Sequence, residues 1–208
     1  SPTLSGIRQH MTRVSPGPVP TSPVRQAAVA IVLRGPDARP ELLFIERAQR
    51  EGDPWSGHMA FPGGRVADAD ASPRQAAERE TFEEVGLSLA TADYLGHLAS
   101  IEGSRRFQQG DLLISAHVYH LPEPGPLVLD CREVREAFWF PVADLLAPDR
   151  HVAHATPQAR EYSFPGICVG HPERHVVWGL TYRLLDLFLG AIERPLPERR
   201  IGLRELAE

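Results

Sequence analysis

FPGGRVADADASPRQAAERETFEEVGL, residues 61–87, opens with a glycine pair, crosses an acidic loop and enters a helix loaded with glutamates. The start of that helix is written in its residues. Ser72 is a good N-cap, Pro73 suits the first helical position, and Gln75 stands where a capping box carries Glu or Gln. Gly86, free to adopt left-handed backbone, marks the stop. Between them Glu80, Glu83 and Glu84 fall at i, i+3 and i+4, so their carboxylates share one face. Thr81, Phe82 and Val85 are expected on the other side, packing inward, and Arg79 lies one turn before Glu83, close enough to pair with it.

Three carboxylates on one face repel one another, and a hard divalent cation offsets that repulsion. Oxygen ligands suit Mg²⁺ or Mn²⁺, which magnesium sites commonly share with substrate phosphates. A bare run of this kind is more often a solvated acidic face, so the flanking residues decide. Here RETFEEVGL (79–87), with Gly63 and Gly64 upstream, resembles the Nudix box, G-x5-E-x7-R-E-U-x-E-E-x-G-U, where U is a bulky aliphatic residue. Asp70 fills the first acidic slot, eight residues rather than seven separate it from Arg79, and Thr81 takes the first U slot. The spare residue falls in the loop before the cap and leaves the helix undisturbed.

The resemblance implies an α/β fold, the α/β/α sandwich with a mixed central sheet, over about residues 25–191. It implies hydrolysis of a nucleoside diphosphate linked to another group, with Glu80, Glu83 and Glu84 as metal ligands and Arg79 orienting Glu83. Glu83 is either a ligand or the base that takes the proton of the attacking water. A later-loop carboxylate serves as base in some members, and Glu133, Glu136 and Asp111 are the candidates here. Gly63 and Gly64 let backbone approach the site closely.

A second resemblance narrows the substrate. LFIERA (43–48) followed by GHMAFPGG (57–64) is similar to the coenzyme A pyrophosphatase signature, LLTxR[SA]x3Rx3Gx3FPGG. Arg47-Ala48 and the GxxxFPGG end match; Ile45 replaces Thr, Gly52 replaces the second Arg, and the middle spacer is one residue longer. Arg50 could stand in for the missing arginine. Substrate contacts are therefore expected from Arg47, Arg50, Gly63 and Gly64, and from Arg105 and Arg106 if that pair meets a phosphate rather than capping a hairpin. Other nucleotides (ADP-ribose, NADH, an oxidised nucleoside triphosphate) remain alternatives. A non-catalytic nucleotide sensor is a further one, which would be expected to lose helix glutamates that this chain keeps.

Composition bounds the rest. With 208 residues, 42% hydrophobic and 24% charged, the chain suits one globular domain, read as residues 25–208 behind a proline-rich extension at 1–24 that wraps the surface or stays mobile. No apolar run approaches membrane-spanning length. The net charge of -5 argues against a general nucleic-acid binder, leaving a small nucleotide as the expected partner, for a monomer or a homodimer. Every basic residue is arginine, which removes lysine-based covalent chemistry. Two cysteines and no apolar secretory core point to the cytoplasm. Periodicity predicts strands over 26–33, 41–47, 58–61, 94–101, 111–121 (half-buried) and 136–142, and helices over 143–146 and 178–192. His151 and His154 read as surface loop residues, Trp55 as a base-stacking ring or a cap on the core edge, and Trp178 as core.

Overall fold

The computed structural model describes residues 1–17, 25–53, 55–103, 112–156 and 159–196. Its first element lies within the N-terminal extension: residues Leu4–Met11 form helix α1, packed on the core rather than mobile. The Thr3 hydroxyl accepts from the Gly6 N–H and caps it, and Leu4, Ile7 and Met11, one apolar stripe, are buried in the core. Arg8 pairs with Asp93 and fixes the outer side.

The strands that follow are β1 (Arg25–Arg34), β2 (Glu41–Arg47), β3 (Met59–Ala60) and β4 (Gly63–Arg65). Helix α2 (Pro73–Val85) comes next, then β5 (Asp93–Glu102), β6 (Leu112–His120) and β7 (Val134–Pro141). Strands β1 and β2 pair only at Leu33–Leu42 and Arg34–Glu41. Beyond that point β1 takes β4 as its antiparallel partner, while β2 pairs with β3 and β7. On the other side of β1, β6 runs parallel to it and β5 closes the sheet antiparallel. The sheet is mixed, as expected.

Both faces are covered. Ala28, Ala30, Val32, Leu43 and Ile45 pack with Ala76, Ala77 and Val85 of α2. Ile31, Leu33, Phe44 and Val118 pack on the opposite side with Leu184, Leu185 and Phe188 of helix α3 (Gly179–Ala191) and with Ile7 of α1. The α/β/α sandwich follows. Strand β6 is buried at every residue, not half-buried, because a parallel strand inside the sheet is covered on both sides. Among the described residues no helix is long and apolar enough to cross a membrane.

A second, three-stranded sheet was not legible: β8 (His151–Thr156), β9 (Ala159–Cys168) and β10 (Val176–Val177). It corrects the loop reading of two histidines. His151 is buried, with Nε2 3.0 Å from the Leu145 carbonyl, and His154 packs on Trp178 with ring centroids 5.0 Å apart.

Candidate active site

Helix α2 begins and ends where its residues say. Ser72 accepts from the Gln75 N–H at 3.2 Å, and Gly86 at φ 69° donates to the Phe82 carbonyl at 2.9 Å. Thr81 is buried with its hydroxyl bonded to the Ala77 carbonyl at 2.7 Å, so a polar residue in an aliphatic slot carries no unsatisfied group. Phe82, expected inward, is 59% exposed, and Glu84 takes the inward place beside Val85. Glu84 lies on the stripe of Ala77, Thr81 and Val85; Phe82 and Glu83 lie off it.

Burying Glu84 has a cost. Its carboxyl is 2% exposed, receives the Gly63 N–H at 2.9 Å, and is pushed up to about 8 by loss of water, against the pull of that bond and of Arg47. Burial also raises Glu80, opposed by its bond to Arg79. Glu133, at the end of the loop before β7, completes a group with Glu80 and Glu84 whose ligand atoms lie within 4.8 Å of one another. The Ala48 N–H bonds the Glu133 carbonyl at 2.8 Å and anchors that loop to the end of β2. Gly64 makes room: a Cβ there would lie 2.5 Å from the Glu80 carboxyl carbon. One added at Gly63 would lie 2.3 Å from the Ala28 carbonyl oxygen. Three carboxylates brought this close, Glu84 buried and Glu80 and Glu133 partly so, fit a hard divalent cation.

Arg79 organises the rim. It bonds both oxygens of Asp70 at 3.0 and 2.9 Å, Glu80 at 2.9 Å and Glu83 at 3.1 Å. Asp70, and after it Glu80, raises its pKa, and Arg79 in turn lowers that of Asp70. Asp70 therefore sits behind Arg79, outside the ligand group. Glu83 stays out as well, its side chain 55% exposed, so the structure groups Glu133 rather than Glu83 with Glu80 and Glu84.

Among the remaining candidates, Arg47 bonds Asp53 at 2.9 Å, with Nε buried and unbonded among the described residues, and faces the cluster closely enough to influence Glu84. Arg50 lies 3.7 Å from Glu133. Arg105, Arg106 and Asp111 lie outside the described residues. Glu136 faces the other side of β2, where Arg174 bonds it at 3.0 Å and Glu46 at 3.1 and 2.6 Å. Trp55 packs half-buried against the core edge, and Trp178 is half-buried between His58, His154 and Phe164 rather than enclosed.

In this α/β/α sandwich the glutamates of one capped helix meet a glutamate from the loop before β7. A NUDIX-domain family model matches residues 24–162, and the chain belongs to that family of pyrophosphohydrolases, which generally use divalent metal ions. It is 32% identical over 173 residues to a Nudix hydrolase, NudL, of Cronobacter sakazakii, covering 82% of this chain and 85% of that one. An uncharacterized protein of Schizosaccharomyces pombe is 36% identical over 165 residues, 70% of this chain and 50% of its own, so the chain spans about half the length of that relative. The Ap4A hydrolase of C. elegans, solved as a binary complex, shares the fold with a TM-score of 0.52 at 18% identity, over 82% of this chain and 98% of that one.

Proposed function

We propose that the chain hydrolyses the diphosphate bond of a nucleotide joined to a second group, with coenzyme A or a derivative as first substrate and Mg²⁺ or Mn²⁺ held by Glu80, Glu84 and Glu133. The observation that carries the metal is the buried carboxylate of Glu84 beside two further glutamates, with the Gly63 N–H as its hydrogen-bond donor. Such a cation, when bound, neutralises diphosphate oxygens and makes water a better nucleophile. The protein's part is positional. The Gly63 N–H fixes Glu84 Oε2, and Arg79, itself fixed by Asp70, fixes Glu83 Oε2. Glu83 Oε1 is left to accept the proton of the attacking water at the open side of the cluster. Sequence supports the substrate: Arg47-Ala48 and GxxxFPGG match the coenzyme A signature, and Arg47 faces the cluster.

The test is a mass-resolved product assay on coenzyme A, ADP-ribose, NADH, diadenosine polyphosphates and 8-oxo-dGTP with Mg²⁺ or Mn²⁺. Coenzyme A should give adenosine 3',5'-bisphosphate and 4'-phosphopantetheine, and EDTA should abolish both. Hydrolysis of ADP-ribose with coenzyme A untouched would discard the substrate; full turnover in EDTA would discard the metal.

A further inference from the structure

Glu46 and Arg47 are consecutive on β2, so their side chains leave on opposite faces of the sheet. Arg47 looks toward Glu84. Glu46 forms the floor of a cavity of about 150 Å³ whose walls include Gln49, His58, Arg135, His154 and Trp178.

The floor is electrically settled. Arg174 bonds both oxygens of Glu46, Arg135 lies 3.5 Å away, and His175 Nε2 lies 3.2 Å from Glu46 and from Glu136. His175 Nδ1 takes the His171 N–H at 3.0 Å, so in the neutral ring Nε2 carries the proton and has no lone pair for a metal. This carboxylate group is an ion network, not a second cation site.

The walls are different. The His58 and Trp178 rings meet edge-on, with centroids 4.8 Å apart, and His154 lies against the same indole at 5.0 Å. Burial lowers the pKa of both histidines, so at neutral pH each ring offers one N–H and one bare nitrogen. Neither ring makes a hydrogen bond among the described residues. Beside the charged Glu46, Arg135, Glu173 and Arg174, the lining offers aromatic surface, two neutral imidazoles and a carboxamide, which suit a planar ring with donors and acceptors on its edge. The volume, below the roughly 300–1,000 Å³ of clefts for drug-sized ligands, suits one ring system.

We infer that this cavity receives the purine base of the nucleotide half of the substrate. The inference rests on the proposed function for what occupies the neighbouring glutamates. The two places share the same ends of β2 and β7: Glu133 and Arg135 flank Val134 at the start of β7, where its pairing with Glu46 and Arg47 is irregular. Arg47 stands between, its N–H bonded to the His58 carbonyl at 3.0 Å and its charge felt by both Glu84 and His58. One nucleotide spans that gap, with its base in the cavity and its phosphates at Glu80, Glu84 and Glu133.

Binding of AMP and of ribose 5-phosphate, in EDTA, to the full chain tests this without catalysis. AMP should bind and quench tryptophan fluorescence, and ribose 5-phosphate should bind at least tenfold more weakly. The quench should vanish in Trp178→Phe. His154→Ala and Gln49→Ala, read by calorimetry, should each weaken AMP binding roughly five- to a hundredfold. Equal binding of the two ligands, or AMP affinity unchanged in all three variants, would overturn the inference. If coenzyme A is not hydrolysed yet AMP binding depends on His154, the substrate reading fails and the base site stands.

Discussion

Arg79 touches three carboxylates at once, and its bonds assign them different work. Asp70 saturates one side of the guanidinium, Glu80 is shared with the cluster, and Glu83 is presented to solvent. Glu83→Gln should therefore lower turnover about 10²- to 10⁴-fold with Mn²⁺ affinity retained, whereas Glu133→Gln should weaken Mn²⁺ binding itself; calorimetry beside kinetics separates them. Arg79→Ala should reproduce part of the Glu83 defect. Glu84 gives a pH signature in the metal-free protein. Native Glu84 keeps its proton up to about pH 8, while an unfolded carboxyl releases it near 4.5. The unfolded state then binds fewer protons across that window, and its contribution to stability falls as pH rises through it. In EDTA, Glu84→Gln should melt higher than wild type at pH 8, by on the order of 5 °C, with the difference shrinking toward pH 5. Melting curves that stay parallel across that range would show that Glu84 is not held protonated.

At the scale of elements, local signals were legible and contacts between distant segments were not. The cap, glycine stop and glutamate spacing of α2 are written within its own turn-to-turn neighbours, and so were read. That Glu133 rather than Glu83 joins Glu80 and Glu84 depends on the Ala48–Glu133 bond across two strands, which no spacing encodes. Phe82 is apolar yet faces solvent, because helical geometry sets Glu84, not Phe82, on the inward stripe of Ala77, Thr81 and Val85. Leu4, Ile7 and Met11 carried the signal for α1, but the prolines at 16, 18, 20 and 23 dominated the reading of that segment. The helix is testable by stability: Ile7→Ala should cost about 2–5 kcal/mol in denaturant unfolding, since Ile7 is 1% exposed. A mobile leader would show no loss.

Across the whole molecule, the sheet brings two carboxylate groups to neighbouring ends of the same strands and gives them different fates. Glu46 and Glu136 are neutralised from within by Arg174, while Glu80, Glu84 and Glu133 form a group in which burial raises Glu80 and Glu84. The catalytic reading depends on that difference, and an anomalous difference map from a crystal soaked in Mn²⁺ measures it directly. The ion should lie against Glu80, Glu84 and Glu133, with no density at Glu46 and His175. An ion at Glu46, Glu136 and His175 with the α2 cluster bare would contradict it.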